Sequence, residues 1–132
     1  MHLIIGGAFS GKRAFVKSKW QDASWISAYE GQHLLQWKEE NASKAPLVFE
    51  GFEQWIMEDN RDASKLREDY RLYLKAVLEL KKEVILIMLE TGKGIVPISE
   101  EERRMRDLLG WIQQDAAALC NDVYHVWHGM AR

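Results

Sequence analysis

Gly6-Gly7-Ala8-Phe9-Ser10-Gly11-Lys12 has the residue types and spacing of the first seven positions of a phosphate-binding loop. The chemistry such a loop performs is anion capture. Glycines let successive backbone N–H groups wrap a phosphate, the helix that follows adds the positive end of its dipole, and Lys12 adds a mobile charge. The other reading of the same residues is a tight strand-to-helix turn carrying a surface lysine. The context favours the loop, because an apolar run precedes the glycines and a helical pattern follows them. Gly6, Gly7, Ala8, Phe9, Ser10, Gly11, Lys12 and Arg13 are therefore the candidate nucleotide-binding residues.

Arg13 is the departure. The eighth position of the pattern is a Ser or Thr whose hydroxyl holds Mg²⁺, and a guanidinium has only donors to offer. Mg²⁺ is the cofactor the pattern implies, and Arg13 speaks against it. Either a metal is held by other groups, or nucleotide binds without ordinary magnesium-assisted transfer. The change weakens catalysis more than it weakens binding. No metal-ligating residues are assigned.

Two carboxylates end strands. Glu50 follows Leu47-Val48-Phe49, and Glu90 follows Val84-Ile85-Leu86-Ile87-Met88-Leu89. In α/β sheets ligands bind beyond the carboxyl ends of the strands, which would set both acids beside the bound phosphates. Position alone equally allows solvent-exposed loop glutamates. With Lys12, they form the candidate catalytic set.

The elements that must position these residues alternate. Leu3-Ile4-Ile5 predicts a strand and Lys12 to Trp20 a helix. Trp25 to Tyr29 predicts a second short strand, and Gln32 to Glu40 a short helix. Phe52, Trp55 and Ile56 open another helical pattern. A longer helix is expected from about Asp62 to Lys82, with Leu66, Tyr70, Tyr73, Val77 and Leu80 every three or four residues. Val84 to Leu89 is apolar on both faces, as a strand between helix layers must be. Ser99 with Glu102 opens a last helix with a capping box, carrying Met105, Leu108, Leu109, Ile112 and Ala116 on one side. Val123 to Trp127 is a mixed-polarity strand expected at an edge. The pattern predicts an α/β fold: three layers, a mostly parallel central sheet, one phosphate-loop domain over residues 1–132.

Composition agrees. The chain has 132 residues, 47% of them hydrophobic, enough for a core in one domain. Eighteen Lys and Arg against 20 Asp and Glu give a net charge of -2, so no general attraction to nucleic acid or an anionic membrane is expected. No apolar run is long enough to span a bilayer, and the amino terminus lacks a basic region and long apolar stretch, so a cytoplasmic protein is expected. A single cysteine, Cys120, excludes an internal disulfide framework and reads as a buried small hydrophobe. His2, His125 and His128 read as packing or surface residues, and Glu100-Glu101-Glu102 as an acidic first helical turn. Trp55, Trp111 and Trp127 read as core. Trp20, Trp25 and Trp37 either cover apolar surface or pack against a second subunit.

With these residues in view, the chain resembles the bifunctional adenosylcobinamide kinase / adenosylcobinamide-phosphate guanylyltransferase family of cobalamin biosynthesis. The family's opening Gly-Gly-Ala-x-Ser-Gly-Lys-Ser is similar to Gly6 to Lys12. Its acid-ended strand followed by a helical tryptophan is similar to Leu47 to Trp55. Its Asn-Glu-Val-Gly-x-Gly-Ile-Val-Pro is matched by Leu89 to Pro97, and its Arg-Asp-x-x-Gly-x-x-Asn-Gln by Arg106 to Gln114. Arg13 replaces the family serine and Leu89 its asparagine. The family's His-Arg-x-Arg-Arg-Pro motif, whose histidine takes the guanylyl group, is missing from the stretch before Pro46. His33 lies in that region without the arginines that would hold a triphosphate, so it is a weak catalytic candidate beside the plainer reading of a partly exposed helix histidine.

The resemblance implies ATP or GTP on the loop, phosphoryl transfer to a corrinoid hydroxyl, and a homo-oligomer, trimeric as in the family. It makes kinase activity more plausible than guanylyl transfer. The alternative is a degenerate relative that binds nucleotide or acts through protein contacts.

Overall fold

Successive side chains of a strand point to opposite faces, and in the first strand both faces are buried: Leu3 and Ile4 are each 0% exposed. That demands helices on both sides of the sheet. The computed structural model describes residues 1–7, 10–38, 44–90, 99–127 and 130–131. Expectations for Ala8, Phe9, Glu39, Glu40, the loop Thr91 to Pro97, His128 and Gly129, and for the side chain of Trp37, lie outside the described residues.

The strands are β1 (His2–Gly6), β2 (Ser24–Ser27), β3 (Leu47–Glu50), β4 (Val84–Leu89), β5 (Asp122–Trp127) and β6 (Met130–Ala131). The helices are α1 (Lys12–Lys19), α2 (Phe52–Glu58), α3 (Ala63–Leu78) and α4 (Glu100–Leu119). The sheet order is β2-β3-β4-β1-β5-β6, with β1 to β5 parallel and β6 antiparallel to β5. This is the expected α/β architecture with a mostly parallel sheet.

The two faces are unequal. Leu3, Ile5, Phe49, Leu86 and Met88 pack with Phe52 and Ile56 of α2, Leu66 and Leu74 of α3, and Leu108 and Ile112 of α4. On the other face, Ile4, Val48, Ile85 and Ile87 meet Val16 of α1 and Trp20. Three helices thus cover one face and one covers the other. The buried stripe of α4 is the predicted one, and its first turn is capped by Ser99, whose Oγ accepts from the Glu102 N–H at 3.1 Å.

Several expectations are corrected. The second strand stops at Ser27, and Ala28–Glu30 forms a 3₁₀ turn closed by Gly31 at φ 76°. The expected helix from Gln32 is a 3₁₀ segment, Leu34–Lys38. Side chains take the carbonyls an α-helix would need there: Trp55 Nε1 donates to Gln32 O and Tyr73 Oη to Leu34 O, both at 2.9 Å. The long helix ends at Leu78 instead of Lys82, because Leu80 folds back onto the core and β4 begins at Val84. β5 is paired on its outer side only at Val126 and Trp127, by the two-residue β6; among the described residues the rest of the strand lies at the edge, as expected.

Trp111 and Trp127 are not core, being 38% and 59% exposed. The Arg67 guanidinium covers the Trp111 ring, 5.3 Å from its centroid, which accommodates an indole on an open helix face. Trp127 is the last residue of β5, beyond the reach of the helices. Cys120 is only partly buried, although burial still pushes its thiol up to about 11.

Candidate functional site

Parallel register sets the strand ends side by side. Gly6 is level with Leu89, Glu50 with Ile87, and Ser27 with Glu50. β4 therefore stands between the strand of Gly6 and the strand of Glu50. The chain leaves it at Glu90, whose N–H donates to Gly6 O at 2.8 Å. A Cβ on Gly6 would lie 2.7 Å from the Val126 carbonyl oxygen, so no larger residue fits where the chain leaves β1.

After Gly7, the Ser10 N–H donates to Gly7 O at 3.2 Å. Gly11, at φ 91°, sits in the left-handed region and turns the chain into α1. Lys12 is the first residue of that helix. Its Nζ donates to Gly7 O at 2.6 Å, so the ammonium is held over the loop it belongs to. Burial lowers the Lys12 pKa, against the nearby carboxylates of Glu53, Glu50 and Glu90, which favour its charged form.

Glu50 is 3% exposed at the end of β3. The Arg13 guanidinium lies 3.2 Å from Glu50 Oε1 and 3.3 Å from Glu30 Oε1, in each case through the same terminal nitrogen. It also covers the Trp25 ring at 5.2 Å from the centroid. Gly51, at φ 92°, turns the chain sharply from β3 into α2. Glu53 falls in the first turn of α2, where its Oε1 accepts from the Tyr29 hydroxyl. Burial, then the Glu53 carboxylate, pushes the Tyr29 phenol well above its ordinary value.

Among the described residues, four buried side-chain oxygens have no hydrogen-bond partner: Ser10 Oγ, Ser27 Oγ, Glu50 Oε1 and Glu53 Oε2. The Arg13–Glu50 pair is close enough for charge attraction, but it lacks hydrogen-bond alignment. All four atoms belong to residues at or just beyond the carboxyl ends of β1, β2 and β3. Buried polar atoms are nearly always bonded, so this concentration marks the edge as a place for a polar ligand.

Of the predicted residues, Gly6, Gly7, Ser10, Gly11, Lys12, Arg13, Glu50 and Glu90 come to this one edge. His33 does not join them. It lines a groove of about 560 Å³ with Trp55, Arg61, Tyr70 and Tyr73, and its Nδ1 accepts from the Leu35 N–H at 3.1 Å. In the neutral ring that leaves the proton on Nε2, and the one lone pair a nucleophile would use, on Nδ1, is engaged by the backbone. Sequence reasoning missed Glu53, Glu30, Ser27 and Tyr29. Glu53 had a signal: Glu50-Gly51-Phe52-Glu53 puts a second acid in the first turn after the strand. Ser27 and Glu30 had none, since their place depends on where β2 ends.

The residues do not fit Mg²⁺ held as the loop pattern requires. A guanidinium stands in place of the ligating hydroxyl, and the carboxylate that would face the metal is paired with it. No group of three or more His, Cys, Asp or Glu among the described residues is gathered to hold a metal ion.

Comparison with known proteins bears on this edge. A family model described as Cobinamide kinase / cobinamide phosphate guanyltransferase matches residues 17–132, beginning just downstream of the loop. A Pseudomonas aeruginosa protein named "Bifunctional adenosylcobalamin biosynthesis protein CobP" is 37% identical over 62 residues. That alignment covers 47% of this chain and 36% of the relative's length.

Proposed function

Because the chain belongs to the Cobinamide kinase / cobinamide phosphate guanyltransferase family, we propose that it binds ATP or GTP at the loop Gly6–Arg13 and phosphorylates a corrinoid hydroxyl. One observation carries the reading. A lysine at the start of a helix, next to a glycine loop, shares its sheet edge with four buried oxygens that lack partners.

Bound phosphate would draw Lys12 Nζ from Gly7 O onto its own oxygens, where the charge offsets that of the transferred group. The acceptor oxygen bonds to the terminal phosphorus as the bond from that phosphorus to the bridging oxygen breaks. The nucleoside diphosphate leaves with that electron pair. Glu53, with one carboxylate oxygen unpartnered, takes the hydroxyl proton, while Glu50 and Glu90 line the crevice. Guanylyl transfer is not part of the proposal. The His-Arg-x-Arg-Arg-Pro motif is absent from the sequence, and His33 lies in another groove. We further propose a homo-oligomer, trimeric as the resemblance implies, acting in the cytoplasm; among the described residues no helix is long and apolar enough to cross a membrane.

The test is incubation with cobinamide and ATP or GTP, followed by mass spectrometry of the corrinoid. Cobinamide phosphate is the expected product. No product together with no nucleotide binding would overturn the reading. GTP labelled on its α-phosphate should leave no label on the protein.

A further inference from the structure

We propose that the Arg13 guanidinium takes the place of the divalent cation in this site, so that the loop binds a nucleoside triphosphate without Mg²⁺. The inference rests on the nucleotide-binding reading above and concerns only the form in which the nucleotide enters.

The position is the first argument. In the phosphate-loop pattern the residue after the lysine supplies the metal's hydroxyl ligand, and here that residue is Arg13. Its guanidinium reaches across to Glu50, the carboxylate at the end of β3, and lies 3.2 Å from Oε1. A cation therefore already stands between the helix start and the strand-end acid. The Glu50 side chain is 4% exposed, so water has little access to its charge and a partner of opposite sign is needed.

The second argument is that the guanidinium is held there from three sides. Glu50 and Glu30 flank one terminal nitrogen at 3.2 and 3.3 Å, and the Trp25 ring underlies the guanidinium carbon at 5.2 Å. Lys17 Nζ also lies 5.6 Å from the centroid of that ring, adding positive charge nearby. A divalent ion entering against Glu50 would meet this fixed cation at close range and would have to displace it.

The third argument is chemical capacity. A guanidinium carries five N–H donors in a planar fork that suits phosphate oxygens, and one terminal nitrogen accounts for both carboxylate contacts. The remaining donors are available to a phosphate arriving at Lys12, the adjacent residue. Arg13 would offset part of the Glu50 charge and bridge to the nucleotide with its free donors, and it stays bound to the chain and cannot be chelated.

Isothermal titration of the full chain with ATP and with GTP, in excess Mg²⁺ and in EDTA, tests this. The wild-type protein should bind in EDTA within about threefold of its affinity in Mg²⁺, whereas Arg13→Ser should lose about tenfold or more in EDTA and regain it with Mg²⁺. Arg13→Lys, a second variant that keeps the charge and loses the fork, should bind more weakly than wild type but remain indifferent to Mg²⁺. Thermal melting confirms that each variant is folded. Wild-type binding that needs Mg²⁺ would overturn the proposal and leave the proposed function standing. Absence of nucleotide binding by the wild-type protein in either buffer would overturn both.

Discussion

Asp115 and Glu50 are both sheltered carboxylates met by arginines, with side chains 15% and 4% exposed. On α4, Asp115 accepts from Arg67 Nε and Arg71 Nε at 3.3 and 3.1 Å through one oxygen. Its other oxygen accepts from the terminal nitrogens at 3.3 and 3.4 Å. Both oxygens are used, and the cluster ties α3 to α4. At the sheet edge, Glu50 meets a single guanidinium nitrogen that it shares with Glu30, without alignment for a hydrogen bond. The same two chemical groups, carboxylate and guanidinium, build a finished structural joint in one region and an unfinished polar edge in the other. Pairing alone does not reveal function. What separates the regions is how much hydrogen-bonding capacity is left over.

The comparison can be broken most directly at Lys12. Lys12→Ala should weaken ATP or GTP binding by about 1–3 kcal/mol, the worth of charge-assisted hydrogen bonds, with the melting temperature nearly unchanged. Titration calorimetry beside thermal melting reads both. Unchanged affinity would place nucleotide elsewhere. Asp115→Ala should do the reverse, costing about 1–2 kcal/mol in denaturant unfolding and leaving nucleotide affinity as it was.

Acid sharpens the contrast. Burial raises the Asp115 carboxyl pKa, but hydrogen bonds from Arg67 and Arg71 outweigh that and hold it below the ordinary value of 3.8. Its stabilisation is thus fully present above the unfolded carboxylate range and is lost as pH falls through the lower folded value. The stability gap between wild type and Asp115→Asn should accordingly be constant from neutrality down to about pH 5 and shrink below it. A gap that grows in acid would contradict the sign. The smallest effect is expected at Glu30, 61% exposed, where Glu30→Gln should change unfolding free energy by less than about 0.5 kcal/mol.

Much of this was legible from local pattern. The ends of β1, β3 and β4, the glycine loop, Lys12 and the α4 stripe depend on neighbours in sequence, and periodicity reads those. Glu50 and Glu90 were found because strands end where apolar runs end. The 3₁₀ segments were not legible, since Trp55 and Tyr73 reach them from distant helices and take their carbonyls. Nor was the partnership of Arg13 with Glu30 and Trp25, which needs β2 to stop at Ser27 and the chain to turn back over α1. Trp111 and Trp127 misled because an indole on an element face satisfies the same pattern whether or not another element lies over it.

The strand order also governs how the molecule is assembled in time. β1 precedes the other strands of the sheet in the chain, yet its two neighbours are β4 and β5: His2 is level with Ile85 on one side and Asp122 on the other. The carbonyl of Met1, just before the strand, accepts from the Asn121 N–H. During synthesis the glycine loop therefore emerges early but has no sheet to hang from until more than half of the chain has followed. Contacts this far apart in sequence make loop closure the slow step, and the apolar β1 segment stays unpaired until then. The edge that carries the glycine loop should consequently be among the last parts to form, and its maturation should track docking of β5 more than formation of α1.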